Sequence, residues 1–285
     1  MQVTVLSGKG GTGKTTIAVG IAETIKNSIK IDCDVDAANM YLYYKGKQIE
    51  EESFYSGKTA RINLDKCIRC GKCFRNCKFD AIKDYKVDSL KCEGCGVCKL
   101  VCPVGAIEIF DNHVADIIEE KIKNGNLIRA DMEIGADGSG RLIAKLRSKV
   151  KNNNEIIIID GSPGIGCPVI SSVTDTDFCL IVTEPTLSGL NDLERLLELI
   201  NSFKIKSLVC INKYDINQKM TGKIKDYCKK NNVKIIGLIP YDDIVIKSIN
   251  DLKPIISYQS SRAGIEIKKI AGKILKIYKE EYLWK

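Results

Sequence analysis

Gly8-Lys9-Gly10-Gly11-Thr12-Gly13-Lys14-Thr15 is the stretch of sequence that decides the fold. It matches the spacing G-x₄-G-K-[ST] and lies between the apolar segment Val3–Leu6 and a predicted helix from Lys14 to about Lys26. A glycine-rich turn between a strand and a helix directs backbone N–H groups at phosphate oxygens. The motif therefore predicts a phosphate-binding loop, to which we add Thr16 as a further nucleotide contact.

The composition excludes two other classes of protein. The 285 residues are 44% hydrophobic and 28% charged, which is typical of a globular chain and not of a disordered one. Apolar runs such as Ile156–Ile159 are far too short to cross a membrane. The N-terminus has no basic segment before Val3, so we expect no secretory signal.

Strand-like and helix-like segments alternate along most of the chain. This pattern predicts an α/β fold with a doubly wound, mainly parallel P-loop sheet. The alternation stops at a cysteine-rich segment, which we interpret as an inserted module over residues 61–112. The sheet domain then comprises residues 1–60 and 113–285, with a polar linker over 45–60 and an irregular join as far as Gly138.

Eight of the 13 cysteines form two copies of one spacing, C-x₂-C-x₂-C-x₃-C. This is the ligand run of bacterial two-cluster ferredoxins, in which the fourth cysteine of each run binds the other cluster. The predicted ligands of the first [4Fe–4S] cluster are Cys67, Cys70, Cys73 and Cys102. Those of the second are Cys77, Cys92, Cys95 and Cys98. Zinc and disulfides are the alternatives, but zinc sites normally use pairs of C-x₂-C. Cys77 departs from the ferredoxin pattern because Lys78 follows it where proline is expected.

The charge gives little support for a nucleic-acid partner. Two [4Fe–4S] clusters with their thiolates lower the formal net charge from +8 to about +4. Thiolate-ligated clusters without a secretory signal predict a reducing, cytoplasmic location.

Lys9 gives the phosphate loop a resemblance to the deviant Walker A loop of the septum-site, chromosome-partitioning and nitrogenase iron-protein ATPases. The resemblance implies ATP and Mg²⁺ as ligands. It also implies a dimer, with a second copy or with a related ATPase chain, in which Lys9 reaches the partner's nucleotide. Lys14 would contact the β- and γ-phosphates and Asp34 would position water or face the metal. Thr15 and Asp160 would organise Mg²⁺.

The base-recognition segment of that family resembles Ile211–Asp215 in this chain. The resemblance implies that Asn212 contacts adenine, with help from the segment that contains Pro240. The pattern Asn212-Lys213-x-Asp215 is also typical of a guanine site, and the sequence leaves both bases open.

Asp32–Asp36 resembles the first acidic switch segment of that family. An ATPase core with a bacterial-type two-cluster ferredoxin domain inserted after this segment resembles the ferredoxin-containing ATPases of the septum-site superfamily. The main hypothesis is an ATP-gated electron-transfer protein that acts on a protein electron donor or acceptor. The second is an iron–sulfur carrier that serves an apo-protein target. The third is a redox-sensing spatial organiser.

Three features carry weaker hypotheses. Cys167 and Cys33 together would supply enough thiolates for a cluster shared across a dimer, although a small buried residue is the expected role of Cys167. The C-terminal helix alternates isoleucine with lysine, a pattern typical of docking on the sheet and also of peripheral membrane contact. His113, the only histidine, is expected to be structural or exposed.

Overall fold

Val3–Leu6, the apolar segment before the phosphate loop, lies in the middle of a nine-stranded sheet. The computed structural model describes residues 1–150 and 155–282. The strands in chain order are β1 (Gln2–Ser7), β2 (Ser28–Asp32), β3 (Lys47–Ile62), β4 (Ile82–Lys83), β5 (Lys86–Val87), β6 (Ile107–Ile122), β7 (Gly125–Met132), β8 (Ile157–Asp160), β9 (Phe178–Thr183), β10 (Lys206–Asn212) and β11 (Lys234–Ile239).

The helices follow the strands in the expected alternation. They are α1 (Lys14–Thr24), α2 (Lys72–Arg75), α3 (Val97–Leu100), α4 (Ser139–Ser148), α5 (Cys167–Val173), α6 (Leu187–Ser202), α7 (Gln218–Lys230), α8 (Ile244–Asn250) and α9 (Arg262–Tyr282).

The sheet is doubly wound and parallel over most of its width. Its order is β11-β10-β9-β1-β8-β2-β7-β6-β3, and every pairing from β11 to β7 is parallel. One face packs against α1 and α9, and the opposite face packs against α4, α5, α6 and α7. The predicted α/β parallel sheet is therefore confirmed, and β1, in its middle, leads into the phosphate loop.

The linker predicted over residues 45–60 is wrong. Those residues form most of β3, which pairs antiparallel with β6, and β6 pairs antiparallel with β7. The irregular join expected up to Gly138 is likewise replaced mainly by β6 and β7. The sequence of β3 does not look like that of a strand, because β3 lies at the sheet edge. Charged side chains such as Glu50 and Glu52 are tolerated there.

β3 and β6 together form an antiparallel arm of the sheet, and the cysteine-rich segment lies at its far end. It connects Ile62, the last residue of β3, to Ile107, the first residue of β6, and these two residues pair. The short ribbon of β4 and β5 and the single turns α2 and α3 lie within it. The segment packs its own small core around Ala60, Ile82 and Ile107.

α9 docks on the sheet with its apolar face. Ile267, Ile270 and Ile274 are at most 1% exposed and pack in the core with α1. Of the two alternatives for the C-terminal helix, the structure shows docking on the sheet, because its isoleucine stripe is covered by protein. No helix among the described residues is long and apolar enough to cross a bilayer.

Arg147 ties α4 to the rest of the sheet domain. Its guanidinium donates to the carbonyl oxygen of Ser172 at 2.7 Å and to Oε1 of Gln2 at 2.6 Å, and the residue is 7% exposed. Burial lowers the pKa of Arg147.

Arg147→Met is expected to lower the free energy of unfolding by about 1–3 kcal/mol, because buried acceptors lose their donors. Anaerobic urea unfolding measures the change, with exposed Arg195→Met as the control, and equal midpoints would contradict this role.

Candidate functional site

The phosphate loop, residues 8–15, connects β1 to α1 and contains two glycines without room for a side chain. Gly13 precedes α1 in the left-handed conformation (φ 88°), and a Cβ there would lie 2.5 Å from Nδ2 of Asn212. A Cβ on Gly8 would lie 2.1 Å from Cβ of Asp192. Only glycine fits these positions, so the motif and the tertiary packing impose the same residue.

Lys14 forms the centre of the site, between two carboxylates. Its Nζ lies 2.7 Å from Oδ1 of Asp160 and 3.4 Å from Oδ2 of Asp34, and its side chain is 6% exposed. Burial disfavours the charge of Lys14, but the carboxylates of Asp160 and Asp34 outweigh burial and raise its pKa. The charged ammonium group of Lys14 therefore lies where the loop motif predicts the phosphates of a nucleotide.

Thr15 and Asp160 are brought together as the sequence predicted for a magnesium site. The Thr15 hydroxyl donates to Oδ2 of Asp160 at 2.5 Å, and Asp160 is fully buried at the end of β8. Hydroxyl and carboxylate oxygens are ligands that Mg²⁺ prefers. Thr16 occupies the next position of α1, and its side chain lies close to the hydroxyl of Tyr43.

Asp34 faces the site, whereas Asp32 shapes the loop that carries it. Asp32 accepts hydrogen bonds from the backbone N–H groups of Asp34, Asn39 and Met40 at 3.0 to 3.1 Å. Burial, with the nearby Asp160 carboxylate, raises the pKa of Asp32 to about 7. Burial also raises the pKa of Asp34, although Lys14 opposes it. The sequence places Asp32 in an acidic segment but does not reveal this positioning role.

Lys9 is held within its own chain. Its Nζ lies 2.6 Å from Oε1 of Glu184, and Lys213 lies 3.7 Å from Oε2 of the same carboxylate. Lys9 keeps 38% of its side chain exposed, so it remains accessible from outside. Sequence reasoning missed Glu184 as a partner because the residue follows β9, far from Lys9 in sequence.

Asn212 and Pro240 lie at the ends of neighbouring strands. Asn212 pairs with Ile239 in the sheet and donates from Nδ2 to the carbonyl oxygen of Thr12 at 2.8 Å. Oδ1 of Asp215 accepts a hydrogen bond from the N–H of Tyr241 at 2.7 Å, directly after Pro240. The two predicted base-recognition segments are thus joined to each other and to the phosphate loop.

The eight predicted cluster ligands line two separate small cavities in the cysteine-rich segment. Cys67, Cys70, Cys73 and Cys102 line one of them. Cys77, Cys92, Cys95 and Cys98 line the other. These two sets are the ones that the crossed pairing predicts, since each combines three cysteines of one run with the fourth of the other.

The donor chemistry of these cavities fits a [4Fe–4S] cluster. Each cavity presents four thiol groups in a largely apolar lining, and the N–H of Ala106 donates to the sulfur of Cys102 at 3.2 Å. Burial raises the pKa of Cys73, and the nearby thiols of Cys67 and Cys70 raise it further. The described residues contain no group of three His, Cys, Asp or Glu side chains able to hold one single metal ion. In a cluster, by contrast, each thiolate binds a different iron atom.

The other cysteines are divided between core and surface. Cys179, Cys210 and Cys228 are buried, and Cys33 is fully buried, so it does not present a thiol to a partner. Cys167 is exposed at the start of α5, and its expected burial is wrong. His113 is partly exposed and its ring lies 3.0 Å from Asp116.

The chain belongs to the family of P-loop ATPases described as the CobQ/CobB/MinD/ParA nucleotide binding domain, whose model matches residues 3–255. The nucleotide site described above lies within the matched residues and is therefore the site of a nucleotide-binding domain of this family.

Three relatives illustrate the likeness. The uncharacterized protein MJ0578 of Methanocaldococcus jannaschii is 37% identical over 278 residues, which is 96% of each chain. The septum site-determining protein MinD of Buchnera aphidicola subsp. Baizongia pistaciae is 24% identical over 92% of this chain and 86% of its own. The structure of MinD complexed with Mg-ADP from Pyrococcus horikoshii OT3 superposes with a TM-score of 0.62 at 19% identity, over 97% of this chain and 96% of that one.

Proposed function

We propose that this protein is a MgATP-hydrolysing iron–sulfur protein, in which the nucleotide state controls electron transfer through two [4Fe–4S] clusters. The observation that carries the proposal is the arrangement of one arm of the sheet. The strand that carries the cysteine-rich segment begins at Lys47, shortly after the acidic segment of Asp32 and Asp34. The acidic residues of the nucleotide site and the cysteine ligands therefore lie on one continuous stretch of the chain.

The nucleotide side of the proposal assigns each group a task. Lys14 exchanges its contacts with Asp34 and Asp160 for the β- and γ-phosphates of ATP. Thr15 and Asp160 would hold Mg²⁺, and Asp34, released from Lys14, would orient the water that attacks the γ-phosphate. Adenine is the proposed base, because an oxygen of Asp215 is already engaged by the N–H of Tyr241.

The iron–sulfur side of the proposal uses the two four-cysteine cavities. Cys67, Cys70, Cys73 and Cys102 would hold the first cluster, and Cys77, Cys92, Cys95 and Cys98 the second. Bound there, the clusters supply one-electron transfer, which suits a protein electron donor or acceptor as partner. Such thiolate ligation also favours a reducing, cytoplasmic location.

Contacts between α4 and the arm support coupling of the two sides. Lys149 lies 2.7 Å from Glu50, and Lys145 lies 2.7 Å from Glu52, so α4 is tied to β3. The other side of α4 packs on α5, and a Cβ on Gly140 would lie 3.6 Å from that of Cys167. Because α5 begins just after the loop of Asp160, a nucleotide-dependent change in that loop would reach the arm through α4.

Reduction potentials test the proposal. The anaerobically purified protein, titrated by EPR with MgATP and with MgADP, should give cluster potentials that differ by several tens of millivolts, 59 mV being about 1.4 kcal/mol for one electron. Equal potentials, together with equal rates of electron delivery in the two nucleotide states, would contradict it.

Lys9 is proposed to act across a dimer, homomeric or formed with a related chain. Lys9→Ala removes a positive charge that would leave Glu184 and stabilise the partner's phosphates. It is expected to prevent ATP-dependent dimerisation and to lower hydrolysis by about 10²–10³-fold, while ATP still binds.

Analytical ultracentrifugation and a phosphate-release assay measure the two effects of Lys9→Ala. Lys225→Ala, on the exposed face of α7, is the control for loss of one lysine. A Lys9→Ala protein that dimerises normally with ATP would contradict the role in trans.

The second candidate function is a redox-sensing spatial organiser, which the likeness to septum site-determining relatives favours. It predicts sedimentation with anionic vesicles or DNA only in the ATP state. The buried isoleucine face of α9 gives it no apolar membrane contact there. We expect the electron-transfer test to be positive and the sedimentation test to be negative.

A further inference from the structure

A cavity of about 380 Å³ lies between the cysteine-rich segment and the sheet domain, outside the nucleotide site. It is lined by residues 56–58 of β3, 89, 90, 92 and 93 of the cysteine-rich segment, 112–113 of β6, 133–137 before α4 and Arg141 within α4. Its volume is in the range of cavities that bind small molecules. Nothing in the nucleotide chemistry above uses it.

A strand bulge places an unpartnered hydroxyl at this cavity. Tyr55 pairs with His113 and Lys58 pairs with Asp111, so Ser56 and Gly57 together face a single residue of β6. Such bulges redirect side chains and are frequent beside functional sites. Ser56 lines the cavity and is 8% exposed, and its Oγ has no hydrogen-bond partner among the residues the structure describes. A buried hydroxyl in this state is unfavourable unless something else bonds to it.

The N-terminus of α4 meets the same hydroxyl. Gly138 precedes α4 in the left-handed conformation (φ 106°), with no side-chain cap on the helix. A Cβ on Gly138 would lie 2.6 Å from Oγ of Ser56 and 4.0 Å from Nη2 of Arg141. A buried hydroxyl, a guanidinium group and the free N–H groups of a helix start therefore converge on one small region. All three stabilise an anion.

The remaining charges define the other end of a ligand. Within the described part of the chain, Glu133 is 3.4 Å from His113 and Lys58 is 2.8 Å from Asp111, whereas Arg141 has no ion pair. Glu93 and Asp137 also line the cavity and favour a hydrogen-bond donor or a cation. The lining thus suits a small molecule with one anionic group and one donor group.

We propose that this cavity binds a small polar molecule through a carboxylate or phosphate group held by Ser56, Arg141 and the first turn of α4. Cys92, assigned above to the second cluster, also lines the cavity, so the ligand would lie beside that cluster. Only this adjacency rests on the proposed function; binding itself requires neither ATP hydrolysis nor electron transfer.

Calorimetry with two probes tests the site. The full-length, anaerobically purified protein is saturated with MgADP and titrated with L-aspartate in one arm and with orthophosphate in the other. At least one probe should bind in the millimolar range or tighter, and Arg141→Gln should weaken that binding by about tenfold or more. Exposed Arg195→Gln is the matched control and should not change it.

Ser56→Ala separates a binding role from a structural one. Removing an unpartnered buried hydroxyl should leave the melting temperature of the ligand-free protein unchanged or higher, yet weaken probe binding. Absence of binding by both probes, or binding that neither variant weakens, would overturn the proposal. Because nucleotide stays as MgADP and no electron is delivered, these results are independent of the test of the proposed function.

Discussion

Replacement of Lys14 by alanine is expected to reduce ATP hydrolysis by about 10³-fold or more. The ammonium group is the cation nearest the two carboxylates of the site, 2.7 Å from Asp160 and 3.4 Å from Asp34. Without it, the γ-phosphate loses a charge-assisted donor, and two carboxylates in a buried site repel one another and the nucleotide. Phosphate release measured at saturating MgATP tests the expectation, and retention of a tenth of the activity would contradict it.

The same substitution has a second signature in the nucleotide-free protein. Loss of one partner from a buried ion pair typically costs about 3–5 kcal/mol. Mg²⁺ would bind the freed carboxylates, so it should raise the melting temperature of the Lys14→Ala protein more than that of the unsubstituted protein. Lys26→Ala, at an exposed position just after α1, is the control for charge loss and should change neither hydrolysis nor this Mg²⁺ response.

Two double substitutions are expected to give opposite iron contents. If the ligands cross between the runs, Cys67 and Cys102 belong to the same cluster, and Cys67→Ala with Cys102→Ala should leave about four of about eight iron atoms per chain. Cys67→Ala with Cys77→Ala should leave none, because each substitution damages a different cluster. The cavities favour this result, since Cys67 and Cys102 line one cavity and Cys77 lines the other.

Iron and acid-labile sulfide measured after anaerobic purification discriminate the pairings. If each run bound its own cluster, the two double variants would exchange results, and the crossed assignment would be overturned. Zinc without sulfide would overturn the clusters altogether. Cys179→Ala, a buried cysteine of β9 outside the cysteine-rich segment, is the control and should retain all the iron.

Several features of the site were predictable because their signals are local. The phosphate loop needs glycine, lysine and threonine at fixed separations between a strand and a helix, and these are adjacent in sequence. Asp160 was predictable because a short, wholly buried strand delivers one carboxylate at its end. In the cysteine-rich segment the repeated spacing itself carried the prediction.

Other features depended on residues that are distant in sequence. β3 lacks an alternating apolar pattern, and it is a strand because β6 supplies hydrogen bonds from about 45 to 75 residues away in the chain. Glu184 holds Lys9 only because β9 lies beside β1 in the sheet. Ser56 is an ordinary serine in sequence, and only the bulge opposite β6 leaves its hydroxyl buried and unpartnered.

The sequence by itself determined the class of sheet, the phosphate loop, the acidic groups beside it and the two sets of cysteines. These depend on backbone conformation and ligand spacing over a few residues, which local chemistry dictates. Only the tertiary structure decided that the cysteine-rich segment stands on an antiparallel arm, that α4 bridges this arm to the nucleotide loops, and that a cavity opens between them. Those features arise from pairing and packing between segments that are distant in sequence. Such contacts stabilise both segments without producing a hydrophobic period in the sequence of either one.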